Sequence, residues 1–172
     1  KAPTDYTASM PSLPECLTTR DGLTLHLQHW PVAKAAPGSV LLVHGLGEHI
    51  GRYTHVAANL NAWGWPVFGF DQRGHGRSGG PRGGLSADDD LLHDLAAVID
   101  AVRAVQPDAL VLLGHSMGAL VAARFVAGGA GWARPVQALV LSSPALDPGM
   151  SIPQKLLLAS LGMAWLVKQR SQ

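Results

Sequence analysis

With 172 residues the chain is long enough for one domain with a sizeable core and short for more than one. Hydrophobic residues at 47% against 15% charged exclude an intrinsically disordered chain, and a net charge of +1 gives no electrostatic basis for binding nucleic acid. The single cysteine, Cys16, excludes an internal disulfide and is expected to be a buried, inert thiol. No apolar run approaches the roughly 20 residues of a membrane span. No signal peptide is visible and the chain does not begin with Met. The localisation stays open, with cytoplasmic or peripheral membrane as the expectation.

In chain order, residues 1–14 carry Pro3, Pro11 and Pro14 and read as an irregular lead-in. Cys16 to Thr19 and Thr24 to Trp30 flank Asp21-Gly22, a hairpin turn signal. Leu23, Leu25 and Leu27 alternate with Thr24, His26 and Gln28, so one face is wet, and His26 and His29 are expected at the surface. A loop over Pro31 to Ser39 leads to Val40-Leu41-Leu42-Val43, a buried strand running into His44-Gly45-Leu46-Gly47. Tyr53, Val56, Ala57, Leu60 and Trp63 recur at helical spacing and predict one buried face, with Gly64 and Pro66 as the stop. Val67 to Phe70 is the next strand, ending in Asp71-Gln72-Arg73-Gly74-His75-Gly76-Arg77-Ser78. Ser86-x-x-Asp89 reads as a capping box. Asp88, Asp89 and Asp90 fall in a first helical turn, where the dipole favours negative charge, and no metal site is read there. Leu91, Leu95, Val98, Val102 and Val105 are the expected buried stripe of that helix, which Pro107 closes. Val136 to Leu141 is a further strand, ending at Ser142-Ser143-Pro144.

The organising stretch is Leu110-Val111-Leu112-Leu113-Gly114-His115-Ser116-Met117-Gly118-Ala119-Leu120. An apolar strand, Gly-x-Ser-x-Gly and a helix from Leu120 to Val126 are the context of a nucleophile elbow. Ser116 would sit at the tip of a strained turn, with Gly114 and Gly118 where neighbouring backbone leaves no room for a side chain. The Met117 N–H would then supply half of an oxyanion hole at a helix start. Strand and helix alternate after the hairpin, which predicts an α/β fold with a mostly parallel sheet and helices on both faces. His44 to Gly47, the Asp71 loop, Ser116 and Ser142 to Pro144 would all lie at the carboxyl ends of strands, where such sheets bind ligands.

His44-Gly45-Leu46-Gly47-Glu48-His49, Asp71 to Ser78 and Gly114 to Gly118, in this order and at these distances, resemble the α/β-hydrolase superfamily and its monoacylglycerol lipase and lysophospholipase-like branch. The resemblance runs from about residue 15 to about residue 165. It implies Ser116 as nucleophile and the N–H groups of Leu46 and Met117 as the oxyanion hole. It also places Glu48, Arg52 and His115 near the polar end of a substrate pocket. Glu48 and Arg52, four apart at a helix start, read equally as a plain ion pair. His44 is expected to brace the oxyanion turn through a side-chain hydrogen bond. Arg73 and His75 are expected to be loop scaffolding. His115 diverges from Ser116 at the strand end and is not read as its base.

The implied function is a serine ester hydrolase acting through an acyl-enzyme on a lipid-like ester, without cofactor or metal. The alternatives are a non-catalytic binding protein on the same fold, or another serine-dependent chemistry such as acyl transfer, peptide hydrolysis or perhydrolysis. The triad of this fold runs Ser, then Asp or Glu, then His, whereas all eight histidines precede Ser116. Asp147, before Pro148, is a loop aspartate in the plainer reading and an acid in the other. The chain therefore reads as the N-terminal part of a hydrolase: 1–150 as core with the first six strands, and 151–172 as the beginning of a cap. Its remaining partner would be the rest of the polypeptide, and by itself it is expected to be inactive. Ile152 to Val167, apolar on nearly every face, reads as a lid helix with a possible membrane or micelle contact.

Overall fold

The computed structural model describes residues 12–33, 38–129 and 131–145. A hairpin of β1 (Cys16–Thr18) and β2 (Thr24–Trp30) turns at Gly22, whose φ of 85° suits glycine. β2 runs antiparallel to β4 (Val67–Phe70), and from there the sheet is parallel. β3 (Gly38–Val43) lies between β4 and β5 (Ala109–His115), and β6 (Ala138–Ser142) flanks β5. The six strands are ordered β1-β2-β4-β3-β5-β6.

Helices cover both faces, which is why β3 is buried at every residue and reads as an unbroken apolar run. On one face a single 3-10 turn (Ile50–Tyr53) continues into α1 (Thr54–Ala62), and Val40, Leu42, Ile50, Ala57 and Val67 form a core with Val111 and Leu113. On the other, α2 (Asp90–Val105) and α3 (Met117–Val126) pack over Leu41, Val43, Phe68, Phe70, Leu110 and Leu112. Successive residues of β3 thus serve different cores, as the two-residue period of a strand requires.

Several expectations shift. β3 begins at Gly38, because Gly38 and Ser39 already pair with Ala109 and Leu110. β6 begins at Ala138 and runs through Ser142. The first helix divides into the 3-10 turn and α1, and Trp63, expected on its buried face, is 72% exposed. It follows the last helical residue, where Gly64 at φ 86° turns the chain away. Cys16 is exposed rather than buried, lying on an edge strand paired on one side only. The capping box does not form: Asp90, not Ser86, closes the entrance to α2, its Oδ2 accepting the N–H groups of Ser86 (2.6 Å) and Ala87 (2.8 Å). The α2 stripe is Leu92, Leu95, Val98, Ile99 and Val102, with Leu91 and Val105 at its margins. Asp147, the 152–167 segment and the 150/151 boundary lie outside the described residues. Among the described residues no helix is long and apolar enough to cross a membrane.

Candidate functional site

The carboxyl ends of β3, β4, β5 and β6 point to one edge of the sheet, and the structure gathers there the segments that chemistry singles out. Ser116 joins β5 to α3 at φ 54° and ψ −118°, in the left-handed half of backbone space that a residue with a side chain rarely occupies. Its surroundings hold it there. The Ser116 N–H donates to Ser142 O (2.9 Å), and its carbonyl accepts from Ala119 (3.1 Å), Leu120 (3.2 Å) and Ala145 (3.2 Å). A Cβ on Gly114 would collide with the Gly118 carbonyl and Ala119 Cα; one on Gly118 would collide with the carbonyl oxygens of Val43 and His44. The two glycines therefore let α3 start directly against the end of β3.

That contact brings two backbone donors into the same neighbourhood. Met117 is the first residue of α3, and Leu46 follows Gly45, where an added Cβ would lie 3.2 Å from Ser116 Cβ. Among the described residues no acceptor takes the N–H of Leu46 or of Met117. At Met117 this is the ordinary condition of a first helical turn, where N–H groups and the dipole favour negative charge. A serine in a strained turn close to N–H groups without acceptors is the kind of arrangement that acyl transfer uses, a nucleophile with donors for a developing oxyanion.

His44 braces its turn as expected. The buried ring accepts the Gln72 N–H at Nε2 (3.0 Å), so its proton lies on Nδ1, which donates to the Gly45 carbonyl (2.7 Å). Burial pushes the His44 imidazole below its usual range, in keeping with the neutral ring these bonds require. Asp71 is buried and accepts the N–H groups of Ile50 (2.7 Å) and Arg77 (2.8 Å), tying the 3-10 turn to the loop after β4. Ser78 Oγ accepts the His26 N–H (2.9 Å) and joins that loop to β2.

Arg73 is 1% exposed and meets three carboxylates. Its guanidinium donates to Asp94 through two bonds (2.6 and 2.7 Å) and to Asp21 through two more (2.9 and 3.2 Å), and Asp90 lies 2.8 Å away. The Asp94 and Asp21 bonds hold Arg73 firmly cationic. A hydrogen bond from Thr19, seconded by Arg73, lowers the Asp21 carboxyl to about 2. His75 bonds the Arg73 carbonyl through Nδ1 (2.9 Å). The expected scaffolding role of Arg73 and His75 is what the geometry shows. Sequence reasoning missed the partners of Arg73, although one signal was available. Asp90 and Asp94 are four apart on one helix face, a like-charge pair that needs a cation between its members when buried.

Glu48, Arg52 and His115 do come together. They line a cleft of about 430 Å³ with Tyr53, His55, Val56, Leu113, Val140 and Ser142, a mixture of polar and apolar side chains. Glu48 Oε1 accepts the Tyr53 hydroxyl (2.7 Å) and the Gly45 N–H (2.5 Å), while Oε2 faces Arg52 Nε at 3.6 Å. Burial pushes the Glu48 carboxyl up, but the Tyr53 and Gly45 bonds outweigh it and hold the group below its usual range. Burial and the bond to Glu48 raise the Tyr53 phenol. Tyr53 was expected only as a core residue of the helix face. His115 turns away from Ser116 and meets Ser142 Oγ through Nδ1 (3.0 Å). Among the described residues no group of three His, Cys, Asp or Glu side chains is arranged to hold a metal ion.

A mostly parallel sheet with helices on both faces, a strained serine between β5 and α3, and a braced turn after β3 define the α/β-hydrolase fold. The chain belongs to the Hydrolase_4 family, described as serine aminopeptidase, S33, whose model matches residues 34–172. It is 35% identical over 127 residues to a monoacylglycerol lipase of Mycolicibacterium smegmatis, an alignment covering 73% of this chain and 44% of that protein. The crystal structure of a Paleococcus ferrophilus monoacylglycerol lipase matches with a TM-score of 0.59 at 34% identity, over 80% of this chain and 51% of the other. A soluble variant of monoglyceride lipase from Saccharomyces cerevisiae, in complex with a substrate analog, matches with a TM-score of 0.69 at 26% identity, over 94% and 56%. The chain thus spans about half the length of the relatives it matches.

Proposed function

We propose that the protein is a serine ester hydrolase acting on a lipid-like, single-chain acyl ester. The observation that carries this reading is the backbone of Ser116, held at φ 54° and ψ −118° between two glycines and beside two N–H groups without acceptors. Ser116 Oγ attacks the ester carbonyl and gives up its proton to a general base. The carbonyl oxygen, now negative, is held by the N–H groups of Leu46 and Met117. Collapse expels the alcohol, protonated by the same base, and leaves an acyl-Ser116 that water hydrolyses. Three histidines at this edge of the sheet are engaged elsewhere: His44 with Gly45 and Gln72, His75 with Arg73, His115 with Ser142. No described residue is assigned as the general base or as its carboxylate partner.

The cleft beside His115 supports the substrate class. Val56, Leu113 and Val140 offer apolar surface, and Arg52, His115 and Ser142 offer hydrogen bonds to a polar alcohol group. Glu48 contributes by holding Tyr53 and the Gly45 N–H, more than as a free acceptor. Relatives named as monoacylglycerol lipases favour the same class.

The test is turnover of a monoacylglycerol, a short p-nitrophenyl ester and an aminoacyl anilide by the full-length protein and its Ser116→Ala variant. Ester turnover should fall at least about a thousandfold in the variant, with the anilide cleaved far more slowly than the esters by the parent. Anilide cleavage exceeding ester cleavage would move the reading to peptide hydrolysis. Unchanged ester turnover in the Ala variant would overturn it.

A further inference from the structure

We infer that His44 and Gln72 form a positioning pair that sets the direction of the Leu46 N–H; the inference rests on the oxyanion role proposed above. A trans peptide is planar, and its carbonyl and N–H point in opposite directions. The Gly45 carbonyl and the Leu46 N–H belong to one such unit, so a bond that fixes the first aims the second. His44 Nδ1–H supplies that bond at 2.7 Å from within the core. Glycine at position 45 has no side chain to hold its own peptide plane, and its neighbour Gly47, at φ 71°, gives the turn little stiffness.

Gln72 determines which nitrogen of His44 does this. Its backbone N–H donates to Nε2 at 3.0 Å, which leaves the ring proton on Nδ1, facing Gly45. Its side-chain Nε2 donates to the His44 carbonyl at 2.7 Å and holds the preceding peptide as well. The same carbonyl lies where a Cβ on Gly118 would fall, so the His44 backbone is the surface against which α3, with its Met117 N–H, is seated. One pair of residues thus ties both oxyanion donors to a common reference. The Gln72 amide has its Oε1 buried without a donor among the described residues. The only side-chain bond of this buried amide among the described residues is the one from Nε2 to the His44 carbonyl.

Two substitutions at one position separate this role from packing. In His44→Asn the amide nitrogen falls where Nδ1 stands and still reaches the Gly45 carbonyl. In His44→Gln the amide falls where Nε2 stands, faces the Gln72 N–H and offers Gly45 nothing. With a short p-nitrophenyl ester and the full-length protein, kcat should fall no more than about tenfold in His44→Asn and about 10²- to 10³-fold in His44→Gln, the size of losing one oxyanion donor. KM should stay within about threefold in both, because the donor acts in the transition state. Gln72→Met, which keeps the backbone bond and removes both the Nε2 bond to the His44 carbonyl and the orphan oxygen, should lower kcat about tenfold with KM within about threefold. It keeps the inference testable should both His44 variants fail to fold. A kcat in His44→Gln equal to or above that of His44→Asn, or an unchanged kcat in Gln72→Met, overturns the inference while Ser116→Ala still abolishes turnover. Wild-type turnover in Ser116→Ala overturns the nucleophile reading and this inference with it.

Discussion

The elbow at Ser116 and the loop from Asp71 to Ser78 lie at the ends of strands in one sheet, and each is held rigid by opposite means. The elbow is held by what its residues lack: at Gly114 and Gly118 any side chain would overlap backbone, so α3 seats directly on β3 and β5. The loop is held by saturation: Asp71, Arg73 and Ser78 are buried polar side chains that bond to groups from the hairpin, the 3-10 turn and α2. The steric device needs only small residues at a fixed local spacing, although the backbone they make room for includes Val43 and His44 from the end of β3. A charge network works through residues brought from across the chain. The first places the candidate nucleophile; the second fixes the strand end that carries Gln72 and, through it, His44.

Breaking the loop should have the larger effect on stability. Arg73→Met strands the buried carboxylate of Asp94 without its cation and leaves Asp90 only Arg20 at 3.8 Å, and losing one partner of a buried ion pair costs about 3–5 kcal/mol. Urea unfolding of the full-length protein should show a loss of that size, and a loss below about 1 kcal/mol would mean that the network is dispensable. Breaking the elbow comes next. Gly118→Ala drives a methyl group into the carbonyls of Val43 and His44, which belong to backbone and cannot swing aside. Overpacking of this kind costs about 3 kcal/mol, and the same unfolding experiment should also find ester turnover lost. Relieving the elbow should have a smaller effect of opposite sign. Ser116→Gly removes the side chain from a φ of 54° and should gain about 1 kcal/mol over Ser116→Ala while both lack activity. Equal stability of the two variants would mean that the turn stores no strain.

The smallest effect is one of pH. The Asp21 carboxyl titrates at about 2 against an ordinary 3.8. A group with a depressed folded-state value stabilises above its unfolded value and loses that contribution as pH falls through the folded one. The stability difference between the parent and Asp21→Asn should therefore be constant above about pH 4 and shrink between pH 4 and pH 2. A difference independent of pH across that window would remove Asp21 from the network. Its partial exposure keeps the effect small.

The two regions also differ in how far they could be read from sequence. The elbow was legible because its cause is local: an apolar strand, two glycines at fixed spacing and a helix imply the strained serine between them. The parallel sheet was legible for the same reason, through apolar runs alternating with helical periodicity. The network was not, because nothing in the order of residues says that Asp21, Asp90 and Asp94 converge on Arg73. The acidic run at Asp88 to Asp90 had a sufficient local explanation in the helix dipole, and that explanation hid the tertiary one. Trp63 failed similarly: helical spacing placed it on the buried face, but α1 ends one residue before it. Cys16 was assigned to the interior by residue type alone, and its place on an edge strand overrode that preference.

The central proposal is that Ser116 is the residue that becomes acylated. The most direct measurement is treatment of the full-length protein with a fluorophosphonate, followed by intact-mass analysis and peptide mapping. A single adduct on the peptide containing Ser116, absent from Ser116→Ala and formed in step with the loss of ester turnover, is the predicted result. An adduct on another residue, or full inhibition with Ser116 unmodified, would contradict it.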